Sequence, residues 1–523
     1  MISLDKTHDP RKNAELLATI TGRQLDYREV VREAEELFQQ SLSEEFVPLP
    51  NKKPSQSVGY KDKITEVLFR LLSKPSSLLE PTRIIVDNKG EVFPDWKDTL
   101  DIEYNQMKKV IDREVNVVDF GAVGDGKVDC TSAFKRAIGE GRVKVIVPPG
   151  VFLTKGIRLP SWTWLEGSGK GVTTIKLDHQ ASKGTRLITN ANHWKGNHHL
   201  LVQGVSLDWN VKRLGDAVKT STWGNHSSCL TLANVTYAWV KKVEGINPGL
   251  HCFDISSTLY NYAGDGYRAR GGTKYVWLDQ VTGYGFGDDG ITTHHSDYIW
   301  ISNSHMCDPS GRAHQKGHSN SNGIEIDDGS RNVLLVNNSS TRCFGGVEIK
   351  AHQNSSAASN VVIIGHISVN DNRSFNFRHI GHHKISDAES QTAFNIVAVN
   401  LATIAPVFTD LYEESAPRGM VISAYKNVVV HHFTLMGDPD YDYKGNPIIA
   451  VQYQARNVRL NNLSFQGFKH AGADLKVYGG ENRADSIKVT NMKTQASTPK
   501  PIDVGRGLLD FTIENVCEKQ LTY

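Results

Sequence analysis

Two patterns of apolar and polar positions divide the chain. In residues 1–112, apolar side chains recur every three or four positions in "YREVVREAEELFQQSL", "ITEVLFRLLSK" and "DTLDIEYNQMKKVIDREV", which is helical spacing. From residue 113 to residue 523, short runs of Val, Ile and Leu alternate with polar residues and stop at Gly, Asn, Asp or Ser. We therefore predict a small helical N-terminal module over 1–112 and a β-rich domain over 113–523.

The β-rich domain repeats one short sequence motif. "RNVLLVNNSS", "SNVVIIGHISVND", "KNVVVHHFTLMG" and "RNVRLNNLSFQG" each have a polar lead-in, then apolar-x-apolar, then Asn or another small polar residue. The repeats recur at irregular intervals, commonly in the twenties to low thirties of residues, with no helical pattern between them. Such a period predicts an all-β solenoid. A β-sandwich or barrel is the alternative, but it accounts poorly for about 400 residues of similar strands.

Composition and charge exclude several kinds of partner. The chain has 523 residues and a net charge of +2, so electrostatics favour neither nucleic acid nor an anionic membrane surface as partner. The six cysteines are scattered without a CxxC pair, which favours reduced, buried thiols over a zinc knuckle or a disulfide framework. The N-terminus "MISLDKTHDPRKN" has no apolar signal region and no apolar run is long enough to cross a bilayer, so we expect synthesis in the cytoplasm without a signal peptide. We assign no cofactor.

The β-rich domain opens with a recognisable segment. "VNVVDFGAVGDGKVDCTSAFKRAI", at 115–138, places a tight turn at Asp125-Gly126 and a short helix that Asp129 or Thr131 can cap. The segment closely resembles the opening of the pectate-lyase-3 group of the pectin-lyase-like superfamily. That resemblance implies a right-handed, single-stranded parallel β-helix, with this segment covering the end of its apolar core.

Four later motifs resemble the catalytic series of polygalacturonases (glycoside hydrolase family 28). They are "AGDG" with Asp265, "GDDG" with Asp288 and Asp289, "GHSNSNGIEI" with His318, and "GVEIK" with Lys350. The resemblance implies an endo-acting, inverting glycosidase. Asp288 is then the general acid, and Asp265 with Asp289 positions and deprotonates the attacking water. His318 tunes the acid or holds substrate, and Lys350 binds a hydroxyl or an anionic group.

The physics of a β-helix supports this grouping. Successive coils stack about 4.8 Å apart, so residues one coil apart project side by side. Asp265 and Asp288 are expected to be lateral neighbours, with Asp289 beside them. Carboxylates this close cannot all ionise freely, so at least one pKa should rise, and an inverting pair should stand about 6.5–9.5 Å apart. Taken alone, "GDDG" is more often a turn than an active site; the ordered series makes the catalytic interpretation stronger.

Departures from the polygalacturonase pattern bear on the substrate. Glu348 stands where that family has an Arg that holds a uronate, so galacturonan is doubtful as substrate. Ala-Gly precedes Asp265 where the family has Asn-Thr, and a Ser follows His318 where it has Gly. The insertion "GRAHQKGHS" still supplies Arg312, His314 and Lys316 for an anionic polymer.

Further polar residues are candidates for the groove. Glu325 lies on the strand next to His318 and is a possible additional carboxylate for substrate binding. His294, with His295, is interpreted as a groove-lining residue rather than a metal ligand. The pair at 327–328 in "IEIDDGS" resembles another corner of the solenoid.

Three functions follow from these features. The β-helix, the helical N-terminal module and the missing signal peptide together resemble bacteriophage tailspikes and appendages. That resemblance implies a homotrimer attached through its N-terminal part to a phage tail or baseplate protein, and acting at the bacterial surface on a host polysaccharide. The alternatives are a receptor-binding fibre without turnover and a teichoic-acid phosphodiester hydrolase whose Asp/His cluster holds a metal. A β-eliminating lyase is less favoured because no Arg suits the role of base. The N-terminal helices are either packing elements or an oligomerising or docking module.

Overall fold

The computed structural model describes residues 2, 4–43, 67–77, 79–217, 219–222, 224–260 and 262–519. These residues form a right-handed parallel β-helix, so the predicted fold class is confirmed and the sandwich or barrel is excluded. The proline-containing segment near residue 50 and Ile64 of the second predicted helix lie outside the described residues.

Two long parallel sheets form the walls of the β-helix. In the described part of the chain, the sheet that we call the site sheet contains twelve strands: Ile157–Leu159, Ile188–Asn190, Leu230–Ala233, Phe253–Ser256, Ile291–Thr293, Asn322–Ile326, Gly345–Ala351, Arg373–His379, Arg418–Ser423, Pro447–Gln452, Ala473–Val477 and Ile502–Val504. Each coil contributes one strand to it.

The second sheet, which we call the flank sheet, has two short strands per coil in its first half and one long bent strand per coil after residue 330. Its strands, among the described residues, are Arg113–Asn116, Asp125–Asp129, Val143–Val147, Gly150–Thr154, Thr163–Gly167, Thr173–Leu177, Asn197–Gln203, Ser206–Asp208, Val235–Lys241, Glu244–Ile246, Lys274–Asp279, Thr282–Tyr284, Asp297–Ser302, His305–Cys307, Arg331–Thr341, Ser359–Val369, Phe394–Ile404, Lys426–Met436, Arg456–Gln466, Asp485–Gln495 and Phe511–Lys519. Two small antiparallel pairs join Ser73–Pro75 to Tyr267–Ala269 and Ile84–Val86 to Val92–Pro94.

The core is the apolar column inside the coils. Alternate residues of each strand point inward, so one side chain per coil stacks on its equivalents above and below. In the site sheet, for example, Ile291, Ile324, Val347 and Phe375 occupy one such column and are fully buried. Burying each side chain of this kind stabilises the fold by about 1.5–3 kcal/mol. The column therefore holds the outward-facing polar residues at fixed positions.

The Asn that recurs in the repeated sequence motif has a structural role. Asn360, Asn395, Asn427 and Asn457 all adopt left-handed backbone conformations, with φ between 53° and 64°. Their side-chain amides form a ladder in which each Nδ2 donates to the Oδ1 of the previous coil, at 2.9, 3.0 and 2.8 Å. Asn tolerates this conformation better than other non-glycine residues, and so it marks the corner of each coil.

The helices lie on the outside of the coils. Those described are α1 (Asn13–Thr21), α2 (Tyr27–Ser43), α3 (Lys97–Val110) and α4 (Thr131–Ile138), with a helical turn at 67–71 and short 3₁₀ turns at Pro10–Lys12, Val117–Phe120, Val211–Leu214, Ile380–His382 and Gly480–Asn482. The apolar stripe of α2, including Val30 and Ala34, shares a cluster with Trp239 and Trp300 on the outer face of the flank sheet. The N-terminal helices thus pack as a layer on the β-helix.

The opening segment of the β-rich domain covers the end of the column. Phe134 and Ile138 of α4 are buried against the first coils. Asp129 Oδ1 accepts a hydrogen bond of 2.9 Å from the backbone N–H of Thr131, which satisfies an amide of the first helical turn. Apolar residues of the first coil are therefore shielded from water by α4.

Most of the cysteines lie inside the fold. Five of the six cysteines are buried, Cys517 is exposed, and no disulfide joins cysteines within the described ranges. Across the same ranges, every helix is too short or too polar to cross a membrane.

Candidate active site

The candidate site lies on the outward face of five successive strands of the site sheet. We number them β1 (Phe253–Ser256), β2 (Ile291–Thr293), β3 (Asn322–Ile326), β4 (Gly345–Ala351) and β5 (Arg373–His379). Strand register builds the central row of the site, one residue per coil: Asp254, Thr292, Glu325, Glu348 and Asn376. Outward-facing carboxylates thus occur on three of five neighbouring coils.

A second row lies at the N-terminal ends of the strands. It consists of His251, Asp289 and Asn322. Each lies two residues before an apolar residue of β1, β2 or β3, and these three apolar residues pair with one another across the strands. Gly290, after Asp289, is required by close packing, because a Cβ there would lie 2.6 Å from the backbone oxygen of Gly323. The motif "GDDG" is therefore both a coil corner and the place where two carboxylates face the groove.

A third row follows the central one. Register aligns His294, Asp327, Lys350 and Arg378 on neighbouring coils, two positions after the central row. The row contains one acidic and three basic side chains, and most of them are buried. The site is consequently a dense network of ion pairs rather than an open acidic groove.

His251 connects three carboxylates. Its Nδ1 lies 3.0 Å from Asp254 Oδ2, and its Nε2 lies 3.7 Å from Asp288 Oδ2 and 3.5 Å from Asp289 Oδ2. Burial opposes its protonation, but Asp254 and Asp288 raise the pKa of His251 to about 9. On the groove side, His314 Nε2 lies 3.0 Å from Asp288 Oδ2, with the side chain of Asp288 15% exposed and that of His314 39% exposed.

The pKa values of Asp288 and Asp289 are shifted in opposite directions. Burial acts to raise the pKa of Asp288, but the positive charges of His314 and His251 hold it well below its ordinary value. Burial and the neighbouring charge of Asp288 raise the pKa of Asp289 well above its ordinary value. The predicted rise of one carboxyl pKa is therefore found, on Asp289, and the two side chains behave as a pair that shares one proton.

The amide of Asn322 supports this state. Its Nδ2 lies within 3.0 Å of Asp289 Oδ1, Glu325 Oε1 and Glu348 Oε2, and its backbone N–H donates to Asp289 Oδ1 at 2.9 Å. One NH₂ group has two hydrogens for three carboxyl oxygens. A proton on one of these carboxyl groups relieves the repulsion between them, and burial also raises the pKa of Glu325.

Lys350 neutralises the centre of the network. Its Nζ lies 2.7 Å from Glu325 Oε1 and 3.7 Å from Asp327 Oδ2. Burial opposes its charge, but Asp327 and Glu325 raise the pKa of Lys350 well above its ordinary value. His294 Nε2 adds a contact of 3.3 Å to Asp327 Oδ2, and the half-exposed His352 lies 3.0 Å from Asp328. The buried Lys350 is therefore bound to protein carboxylates rather than held free for substrate.

Glu348 is also neutralised from within the protein. It is fully buried, and its Oε1 accepts hydrogen bonds from Arg378 Nε at 2.5 Å and from Asn376 Nδ2 at 2.8 Å. Burial opposes ionisation, but Arg378 lowers the pKa of Glu348. The expectation that Glu348 repels a uronate is wrong, because the Arg missing from its own coil is supplied one coil later and remains 21% exposed.

Asp265 does not lie beside Asp288, so that prediction is wrong. It sits on the loop that leaves β1, and this loop crosses the site sheet to a later coil, where Gly264 N–H donates to Asn354 O. Asp265 accepts hydrogen bonds from Ser390, Gln391 and Thr392. The one-coil spacing to Asp288 was a coincidence of loop length. The place predicted for it is taken by His251 and Asp254, which the sequence did not single out. The separation of about 6.5–9.5 Å expected for an inverting pair therefore lacks its geometric basis.

His318 is likewise misplaced by prediction. It is exposed in the loop that leads from the flank strand His305–Cys307 to β3, where its backbone N–H donates to Gln315 O. Asn322 occupies the position in the row that was predicted for His318. Lys316 is exposed on the same loop, and its predicted binding of substrate stays a prediction. The loop is held on both sides, because Ala313 N–H donates to Gly287 O and Ser319 N–H donates to Leu411 O. This anchoring fixes His314 against Asp288.

A pocket of about 180 Å³ adjoins the N-terminal end of the site. It is lined by Arg186, His193, Trp194, His226 and Tyr260, among others. Tyr260 links it to the site, because its hydroxyl donates to Asp254 Oδ2 at 2.9 Å and its ring stacks on His294 with centroids 4.0 Å apart. His294 is thus buried beside Tyr260, and its predicted contact with substrate stays a prediction. The side chain of Trp194 is 70% exposed and free to contact a ligand.

Two groups within the site have the donors to hold a metal ion. They are His251 with Asp288 and Asp289, and His294 with Asp327 and Asp328; in each group the ligand atoms lie within 4.8 Å of one another. In the second group Lys350 stands 3.7 Å from Asp327, and its positive charge opposes a cation there. The first group is the better candidate.

The protonation of His251 makes stability depend on pH. Its folded pKa of about 9 exceeds the ordinary value of 6.5, so the stability it contributes is complete below about pH 6.5 and is lost as pH rises through about 9. We expect the thermal unfolding midpoint to fall more over this range in the wild type than in His251→Gln, measured by circular dichroism. Equal slopes in the two proteins would contradict the assignment of this proton.

The comparisons with known proteins agree with the fold. A family model described as "Rhamnogalacturonase A/epimerase, pectate lyase-like" matches residues 114–348, which include β1 to β3. The phage-related protein YobO of Bacillus subtilis (strain 168) is 50% identical over 437 residues, 84% of this chain and 54% of that protein. The pre-neck appendage protein of Bacillus phage phi29 is 37% identical over 478 residues, 89% of this chain and 54% of that protein.

A solved structure gives the same relationship in three dimensions. The N-terminal fragment of bacteriophage phi29 gene product 12 matches with a TM-score of 0.72 and 36% identity, over 81% of this chain and 69% of that one. The chain spans about half the length of the curated relatives it matches.

Proposed function

The chain belongs to the family of phage pre-neck appendage proteins built on a pectate-lyase-like β-helix, and from this membership we propose that it is a depolymerase of a host cell-surface polysaccharide. The reaction proposed is hydrolysis of glycosidic bonds within the polymer. The observation that carries the proposal is the Asp288–Asp289 pair, in which the pKa of the carboxyl at the groove surface is lowered and the pKa of the carboxyl behind it is raised. Glycoside hydrolysis needs both states within reach of one bond.

The geometry suggests how the proton is supplied. Asp288 faces the groove, and Asp289 holds the proton in the free protein. His251 Nε2 lies between the two, so it can pass its proton to Asp288 while accepting the proton of Asp289. Asp288 then protonates the leaving oxygen as the bond breaks, water adds to the anomeric carbon, and the proton released by that water returns through Asp288 and His251 to Asp289. The Asp254 carboxylate at Nδ1 holds the imidazole in place throughout. We thus keep Asp288 as the acid and assign Asp289 as its proton store.

The proposal is tested with purified host wall and capsule polymers. Incubation should shorten a matching polymer, and NMR of the first products should show new reducing ends without an unsaturated sugar. The anomeric configuration of those ends distinguishes inversion from retention. Saturable binding with unchanged polymer length would favour the receptor-binding fibre, and absorbance from an unsaturated product would show a lyase.

The exposed Trp194 beside the pocket should contribute to substrate binding. An aromatic ring in this position offers an apolar face to a sugar, next to the guanidinium of Arg186. We expect Trp194→Ala to raise KM about tenfold, equivalent to about 1.4 kcal/mol, with little change in kcat. Trp194→Phe should retain most of the affinity. An unchanged KM in both variants would exclude this pocket from the substrate path.

Metal-assisted hydrolysis of a phosphodiester-linked wall polymer is the second candidate. One observation favours it, namely the arrangement of His251, Asp288 and Asp289 as a ligand group that a divalent cation fits. Activity abolished by a chelator and restored by a divalent ion, with new phosphomonoester signals in ³¹P NMR, would support this reaction. Activity indifferent to chelation would support glycoside hydrolysis.

We propose that the protein acts on the virion as a homotrimeric appendage at the phage tail. Support comes from the pre-neck appendage relatives, whose names place them on phage particles. The N-terminal layer would provide attachment in addition to its packing on the flank sheet. Light scattering on the purified chain measures the oligomeric state, and a monomeric mass would contradict the trimer.

A further inference from the structure

A second cluster of ligating residues lies outside the catalytic network. The carboxylate of Asp265 approaches two imidazoles, His379 at the end of β5 and His382 in the following 3₁₀ turn, and one atom from each residue lies within 4.8 Å of the others. Asp265 Oδ2 and His382 Nε2 are 3.5 Å apart. Two ligands at about 2.0–2.1 Å from a tetrahedral ion are separated by about 3.4 Å, so this pair already has the required spacing.

His379, a member of this cluster, carries a buried ring nitrogen that is unsatisfied within the described part of the chain. His379 is fully buried, and its Nε2 has no hydrogen-bond partner among the residues that the structure describes. Its Nδ1 lies 2.9 Å from Ser390 Oγ, and the single hydroxyl hydrogen of Ser390 is directed to Asp265 Oδ2. With the Ser390 hydrogen on Asp265, the Nδ1 of His379 is the donor, and this tautomer leaves a lone pair on Nε2. An unsatisfied buried nitrogen of this kind needs an explanation.

His382 is prepared in the same way. Its Nδ1 faces the backbone oxygen of Ala388 at 2.5 Å, and a carbonyl can only accept, so the hydrogen is on Nδ1. Its Nε2 is then the atom available toward Asp265. Metal-bound histidines commonly donate their other ring N–H to a carbonyl or hydroxyl, which fixes the tautomer and the ring orientation. Both imidazoles have that support before any ion is bound.

We propose that Asp265, His379 and His382 form a binding site for one divalent transition-metal ion of the Zn²⁺ class. Two imidazole nitrogens and one carboxylate suit such ions better than Ca²⁺ or Mg²⁺, which prefer oxygen ligands. His382 is 13% exposed, so an ion can enter from solvent and keep a water as its fourth ligand.

The site fastens the loop that covers the catalytic network. Asp265 ends a loop, begun after β1, that carries Tyr260 onto Asp254 and His294, and Tyr262 onto His352. Metal binding ties this loop to the coil of β5. The proposal accounts for Asp265, which is conspicuous in the sequence yet remote from Asp288, as a ligand that holds the site closed on one side.

Cobalt titration of the chelator-treated full chain tests this inference directly. Wild-type protein should bind about one equivalent of Co²⁺ with visible d–d absorption that Zn²⁺ displaces, and its thermal midpoint should rise with added Zn²⁺. His379→Gln and His382→Gln should each weaken binding at least about 100-fold and remove the thermal shift. His382→Gln alters a partly exposed side chain, so its fold should persist even if the buried His379→Gln variant does not fold.

Two matched controls separate this site from its surroundings. His383→Gln changes the adjacent imidazole, which stacks on Tyr453 instead of facing the cluster, and His432→Gln changes another His-containing group, with Glu33 and His431. Both controls should bind Co²⁺ like the wild type. Unaltered Co²⁺ affinity in His382→Gln, or its loss in His432→Gln, would overturn the proposal. Polymer degradation is not needed as a readout, so failure of the depolymerase proposal would not affect this result.

Discussion

Asp288→Asn should lower kcat on a host polymer by about 10²–10⁴-fold, the range expected for loss of a general acid. Asn cannot carry a transferable proton, and the Asp288 side chain is the one member of the carboxyl pair that faces the groove. KM should change little if sugar contacts away from the cleaved bond dominate binding. The measurement is initial rate by reducing-end assay on a polymer that the wild type shortens.

Asp289→Asn separates the proton store from the acid. Asn retains an oxygen for the two hydrogen bonds from Asn322, so the fold should persist. We expect kcat to fall and its pH dependence to shift, because Asp288 then receives its proton from His251 alone. Asp440→Asn, at an exposed surface position, is the matched control and should be fully active. Full activity in Asp288→Asn would exclude the proposed site.

The fold could be predicted from the sequence because each coil repeats the same pattern of apolar and polar residues. The apolar-x-apolar motif predicts the inward-facing column, and the Asn that follows it predicts the corner of the coil. The ladder of amides from Asn360 to Asn457 shows the physical basis of that corner. The opening segment also predicts the end cap, because the apolar residues of α4 pack on the end of the apolar column. Local rules and global packing agree throughout this part.

The site could be predicted only in part because loops change the length of each coil. Asp288 and Asp289 were found from a local corner motif, and their place holds. Asp265 and His318 were placed by counting one coil along the chain, and both lie in insertions that leave the sheet. The better signal was local: a polar residue, a small residue and then the paired apolar residue recur in His251-Cys-Phe, Asp289-Gly-Ile and Asn322-Gly-Ile.

Ion pairs across coils were not predictable from residue types. Glu348 was interpreted as repelling an anionic sugar, whereas Arg378 from the next coil neutralises it. The same holds for Lys350, which was expected to bind substrate and is enclosed by Glu325 and Asp327. Such pairs depend on which strands are neighbours and on their register. The register can be predicted from the sequence only where the loops between the strands are short.

The enclosure of Lys350 makes the stability of the fold sensitive to substitution at this position. We expect Lys350→Met to lower the free energy of unfolding by about 3–5 kcal/mol, because removing one partner leaves buried carboxylates without compensation. The chemical-denaturation midpoint should fall accordingly, with thermal midpoints at one scan rate as a second measurement. Lys500→Met is the control: its 56% exposed side chain contacts Asp503, and such surface pairs contribute about 0–1 kcal/mol.

A double variant shows whether the cost comes from the unpaired charge. Glu325→Gln combined with Lys350→Met removes the carboxylate at 2.7 Å along with the cation, so the double variant should be more stable than Lys350→Met alone. Part of the loss should remain, since Asp327 still lacks a neighbour at 3.7 Å. If the free-energy losses of the two single variants add up to the loss of the double variant, Lys350 stabilises the fold through its packed methylene chain instead of its charge. Coupling between the two changes would show that buried electrostatic balance, which also sets the proton on Asp289, holds these coils together.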